Sequence, residues 1–350
     1  MERVDFPNLS LTDPCLCESG KTLGTCCGRN GEVKPRPHLP PRRSKRTGVS
    51  RPQCYAHPLT DCNGPMSGEH FVSAALLRRL EQDGGVHIHG FPWQGGMWRK
   101  LSIGALASNV LCKQHNSDLS ALDAVVEKLV DHLESVEHEF QTGDQRPWIW
   151  ALNGHDVERW LLKALAGLLL SKSGRTTEGE ALKPEIPRAW IDILFARSPF
   201  PLKWGLYVVG ELGHTFATEP KKYSFAPVSL SGNVVGIRAQ LVGYAFTLLM
   251  TEPGRPAGAI DEYSIYRPRY LSVEHAGQQK GIYFHWDQLG PEHPEVNLTW
   301  SAATPAAANW SSGFPPPARC ARNCCRSCAR SRGRNNPGST WPWPATASCP

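Results

Sequence analysis

Apolar residues in "LSALDAVVEKLVDHLESV" fall at Leu119, Leu122, Val125, Val126, Leu129, Val130, Leu133 and Val136, three and four positions apart. That step follows the helical turn and lines one face, so the spacing predicts an amphipathic helix. A second helix is predicted in "HDVERWLLKALAGLLLSKS", with Val157, Trp160, Leu161, Ala164, Leu165 and Leu168 on one side and Asn153 placed to cap it. "FVSAALLRRL" and "PRAWIDILFAR" read as shorter helices, and "GGVHIHGFPWQGG" as a hairpin. Beyond residue 200 the pattern changes. "KWGLYVVGE", "YSFAPVSL", "GNVVGIRAQLVGYAFTLLM" and "GIYFHW" are rich in β-branched and aromatic residues and bounded by Gly, Pro and Asn, which predicts strands. The expected fold class is α+β, with a largely antiparallel sheet in the back half of the chain.

Size and charge refine this picture. The 350 residues, 40% of them hydrophobic, suffice for about two domains with real cores. The longest apolar run, "WLLKALAGLLL", is broken by Lys163 and falls short of the roughly 20 residues that cross a bilayer, so no membrane span is expected. The opening "MERVDFPNLSLTDP" lacks the basic start and apolar core of a secretory signal. A reducing cytoplasm is therefore the expectation, where the 12 cysteines read as metal ligands before disulfides. The net charge of +6 resides in residues 301–350, which hold six arginines and no acid. Residues 30–52 form a basic linker around "VKPRPHLPPRRSKRTGVSR", with seven Lys or Arg and no acid. It reads either as a solvated spacer or as an arm that meets phosphates through counterion release. Residues 296–350 lack an apolar period and predict a disordered tail, in which Cys320, Cys324, Cys325 and Cys328 have no scaffold around them.

Two clusters carry chemistry. In residues 13–29, "PCLCESGKTLGTCCG" presents Cys15, Cys17, Cys26 and Cys27 as two close pairs, and four soft ligands brought together by one turn suit tetrahedral Zn²⁺. The segment resembles the SEC-C motif, including "SGK" and Gly28. The resemblance implies a small zinc unit that acts as a docking module for a protein partner.

The second cluster offers Cys54, His57, Cys62, Glu69, His70, Asn109, Cys112, His115 and Asn116. Cys112 and His115 stand just before the predicted long helix, where both side chains can face one ion beside the free N–H groups of its first turn, and Ser117 reads as the helix start. An upstream pair is needed. Cys54 with Cys62 is preferred, and Cys54 with His57 competes. The run from "SGEH" to "SNVLCKQHN" resembles the HNH (ββα-metal) nucleases, although 38 residues separate His70 from Asn109. Glu69 also stands where aspartate is more usual, and Asn116 where histidine is commoner.

The HNH resemblance implies a treble-clef-like ββα domain over residues 53–140, with its structural zinc on Cys54, Cys62, Cys112 and His115. It further implies His70 as general base, Glu69 and Asn116 as ligands of a catalytic Mg²⁺ or Mn²⁺, and Asn109 as the brace that orients the base. The partner implied is nucleic acid, DNA in the first place. Residues 141–295 carry no usable motif and are expected to form an α+β region. His87 and His89 read as a solvent-facing pair, and Asp123, Glu127 and Asp131 as a solvated helix face. A reading from a different class is a non-catalytic zinc protein, in which the same ligands build a scaffold for binding nucleic acid or protein.

Overall fold

A computed structural model describes residues 9–29, 32–39, 47–89, 94, 97–143, 148–171, 185–210, 215–216, 223–230, 233–252, 264–287 and 294–300. Most of the predicted tail and part of the basic linker lie outside the described residues. The cysteine-rich unit ends in a short ladder of β1 (Gly28–Arg29) and β2 (Glu32–Val33). β3 (Met66–His70) follows, then α1 (Ala74–Leu80), the hairpin of β4 (Val86–Ile88) and β5 (Arg99–Leu101), and β6 (Ala107–Cys112). β3 and β6 pair antiparallel, so α1 and the hairpin form an insertion within that ladder.

β6 runs directly into α2 (Lys113–Thr142), which begins before Ser117. Two of its first N–H groups are not free. Lys113 N donates to Pro65 O at 2.8 Å and Gln114 N to Asn63 O at 3.2 Å, so carbonyls from across the ladder cap the helix. Gly64, at φ +76°, makes the turn between those carbonyls, where an added Cβ would lie 3.0 Å from Lys113 Cβ. All eight apolar positions of the predicted face are buried.

The rest of the chain builds two five-stranded sheets around α3. Its elements are β7 (Trp148–Asn153), α3 (Gly154–Leu170), α4 (Arg188–Leu194), β8 (Gly205–Val209), β9 (Thr215–Phe216), β10 (Tyr223–Leu230), β11 (Asn233–Leu241) and β12 (Tyr244–Leu249). β13 (Ser264–Tyr266), β14 (Tyr270–His275), β15 (Gln278–His285) and β16 (Glu295–Trp300) complete it. One sheet, β10-β11-β12-β8-β13, is antiparallel throughout. The other, β7-β15-β14-β16-β9, pairs β14 with β15 antiparallel and its three remaining neighbours in parallel. Residues 296–300, assigned by composition to the tail, are the body of β16, because Val296 and Leu298 point into the core.

α3 is buried nearly all round, its polar residues included, as a helix inside the core must be. Its charges are each answered. Glu158 takes Arg267 Nε at 2.7 Å, His155 Nδ1 at 2.9 Å and Leu206 N at 2.8 Å, while Lys163 reaches Glu69 and Asp123. Gly205, at φ +131°, is required where the sheet meets this pair, since a Cβ there would sit 2.1 Å from Glu158 Oε1. One continuous core joins Leu39 to Trp300, so residues 53–140 and 141–295 pack together. Among the described residues no helix is long and apolar enough to cross a membrane.

Candidate metal centres and the β3–β6 site

In the first centre the turn between the cysteine pairs is closed by Cys15 N to Lys21 O at 2.8 Å and Leu23 N to Asp13 O at 2.7 Å. The sulfurs of Cys15 and Cys17 stand 3.4 Å apart, Cys17 and Cys26 3.6 Å, and Cys26 and Cys27 3.7 Å. Four donors on a zinc with bonds of about 2.3 Å lie roughly 3.5–3.8 Å from one another, so the cluster has the edges of such a tetrahedron. Crowded thiols titrate unequally. Hydrogen bonding from Cys27 holds Cys17 as a thiolate, down to about 4, and pushes Cys27 itself far up. Zinc bound there would take the place of those protons, so its binding would be coupled to proton release.

In the second centre Cys54, Cys62, Cys112 and His115 come together and are all buried. His115 Nδ1 lies 3.3 Å from Cys54 Sγ, 3.8 Å from Cys62 Sγ and 3.2 Å from Cys112 Sγ. Its other nitrogen, Nε2, donates to Asp61 Oδ1 at 2.7 Å. Asp61 in turn accepts from Arg197 at 2.6 Å. Burial pushes the Cys54 thiol up to about 12, an environment in which a thiolate needs a cation beside it. His57 takes no part, its Nδ1 lying 3.2 Å from Ser50 Oγ. Asp61, adjacent to Cys62, supports the ring of His115 and is a residue that donor-type reasoning missed.

Both four-donor sets suit zinc. Residues 12–29 match the SEC-C motif. No curated protein and no solved structure matches the chain. The SEC-C segment is not a detached module. Leu16 O accepts from Ala151 N of β7 at 3.0 Å, Cys17 O from Lys128 of α2 at 2.9 Å, and Glu18 from the Trp150 indole at 3.2 Å. Cys15, Leu23, Cys27 and Val33 form a small core with Ala151 and Tyr283.

The residues proposed for catalysis line the β3–β6 ladder. A bulge sets Asn109 and Val110 against Gly68, between the pairs Ser67–Leu111 and Glu69–Ser108. His70 donates from Nε2 to Ile103 O at 3.1 Å. Burial lowers its pKa, so the neutral ring is favoured. The orienting partner is thus the Ile103 carbonyl. Asn109 is exposed and makes no bond to His70 among the described contacts. Asn116 Nδ2 donates to Ser67 Oγ and Gly68 O, both at 3.0 Å.

Glu69 is buried and faces α3, with Oε1 2.9 Å from Lys163 Nζ. Lys163 also bonds both oxygens of Asp123 at 2.8 Å, which takes Asp123 off the solvated face, and Asp131 pairs with Arg79. Burial raises the Glu69 pKa, and Lys163 partly counters that. Lys163 was visible in the sequence as a charge inside an apolar helix, which demands a buried partner.

Proposed function

We propose that the β3–β6 ladder and the start of α2 form a metal-dependent nuclease centre of the HNH kind, hydrolysing phosphodiester bonds in nucleic acid, DNA first. The orientation of His70 carries this reading. A carbonyl only accepts, so the Ile103 bond fixes the proton on Nε2 and leaves the Nδ1 lone pair as a base. A half-buried, neutral imidazole with one fixed tautomer suits proton abstraction from an attacking water. Glu69 and Asn116 supply oxygen donors of the type Mg²⁺ or Mn²⁺ takes. Such a cation, if bound there, would contribute charge stabilisation at the scissile phosphate. Lys163 holds Glu69, so cation binding there requires exchange with the ammonium.

That ion pair is also the observation favouring a second reading, in which the same residues are structural and the chain is a non-catalytic zinc scaffold. Plasmid nicking separates the two. With added Mg²⁺ or Mn²⁺ the protein is expected to nick supercoiled DNA, and His70→Ala to abolish nicking at unchanged zinc content. Equal behaviour of the two proteins leaves only the scaffold.

A further inference from the structure

The insertion between β3 and β6 carries an exposed ribbon that neither metal centre uses. In the β4–β5 register Val86 faces Leu101, His87 faces Lys100 and Ile88 faces Arg99. Alternation sorts these by face. Val86 is buried and Ile88 and Leu101 are half-buried, whereas His87 and Lys100 are exposed. One further step outward sets His89 against Trp98, and their rings approach to 5.2 Å with a tilt of 32°. Trp98 is 67% exposed and the adjacent Met97 56%. Arg99 is exposed on the opposite face, paired with Ile88, and residues 86–89 and 97–101 contain no acid. The acids closest in sequence, Glu81 and Asp83, lie before the turn at Gly84 and Gly85, where Lys100 Nζ reaches the Asp83 carbonyl at 2.6 Å.

We infer that this face docks single-stranded nucleic acid, with Trp98 and His89 stacking on unpaired bases and Lys100 meeting phosphates. An exposed indole and imidazole flanked by a cation complement a polyanion that presents flat aromatic faces. A duplex keeps its bases stacked inside and offers such a surface only its backbone. The inference deepens the nuclease reading and rests on it for the meaning of the bound strand as substrate. The connection to that centre is short. β5 leads directly to Ile103, whose carbonyl holds His70, and the five steps from Trp98 to Ile103 span at most about 18 Å.

The test uses the full chain carrying His70→Ala, so that no cleavage intervenes, without added Mg²⁺ or Mn²⁺. Fluorescence anisotropy follows labelled oligo(dT), oligo(rU) and a mixed-sequence duplex, each of roughly 16 nucleotides or base pairs. Adding Trp98→Ala is expected to weaken strand binding about tenfold and duplex binding less than about twofold. Adding Lys100→Glu is expected to weaken binding and to flatten its salt dependence. Loss confined to oligo(dT) or to oligo(rU) supports the surface and names the strand it takes. Unchanged strand affinity after Trp98→Ala, or an equal loss on duplex, overturns the inference. Zinc content and melting temperature serve as the folding control, since Trp98 is exposed. Loss of strand binding in a protein whose parent never nicks plasmid leaves the surface standing and removes only the nuclease reading.

Discussion

Asp61 decides which nitrogen of His115 faces the three sulfurs. By accepting from Nε2 it leaves the Nδ1 lone pair for the metal, and its second oxygen is tied to Arg197 just beyond α4. Asp61→Asn is expected to weaken zinc retention at this centre by on the order of tenfold, read by competition with a chromophoric chelator, while the SEC-C centre keeps its zinc. Lys163 shows the same logic without a metal. The buried Glu69 and half-buried Asp123 carboxylates meet its buried Nζ, and removing either side of that contact would leave a charge without a partner in the core.

At the scale of elements, the SEC-C segment covers a sheet edge. β7 is the outer strand of the mixed sheet, and an uncovered strand leaves backbone groups that need partners. Leu16 supplies one by accepting from Ala151 N, and the zinc-shaped turn holds Leu16 in place between two cysteine donors. The double substitution Cys17→Ser and Cys26→Ser is expected to remove one zinc per chain and to speed amide exchange at Ala151 by roughly fivefold or more, the equivalent of about one hydrogen bond. Exchange within α3 is expected to stay slow, because its burial owes nothing to that turn. Mass spectrometry with peptide-resolved deuterium uptake reads both.

At the scale of the molecule, His132 joins three layers. It projects from α2, stacks on Trp150 of β7 at 4.2 Å and lies 3.8 Å from the Glu18 carboxylate of the SEC-C segment. Burial drives its pKa down to about 3. The folded value lies below the unfolded one near 6.5, so the neutral ring's contribution is complete above about pH 6.5. It is lost as pH falls toward about 3, because the unfolded chain takes up the proton first. The nearby Lys128 charge adds to that depression, and the loss is expected to total roughly 2–4 kcal/mol. Urea unfolding at a series of pH values reads it, and His132→Phe is expected to show a flatter decline than the parent protein.

Local pattern in the chain determined the helices at α2, α3 and α4, the first strand of the hairpin in the insertion, several strands of the antiparallel sheet and both sets of four donors, whereas the second strand of that hairpin, β5, lies beyond the stretch expected to hold it. Each of these rests on periodicity or on spacing within a short stretch, and such signals are complete before the chain folds. The parallel pairing of β7 with β15 was not legible, because register between strands so far apart in sequence is set by which faces the core accepts. The same holds for the start of α2, which Pro65 and Asn63 cap from across a ladder, and for β16, whose six residues are too short a pattern to stand out from the tail that follows it. Only the tertiary structure gave Glu69 to Lys163, Asn116 to Ser67 and His70 to Ile103. Residue type announces what a side chain is able to bind, and burial against a particular neighbour selects the partner it takes.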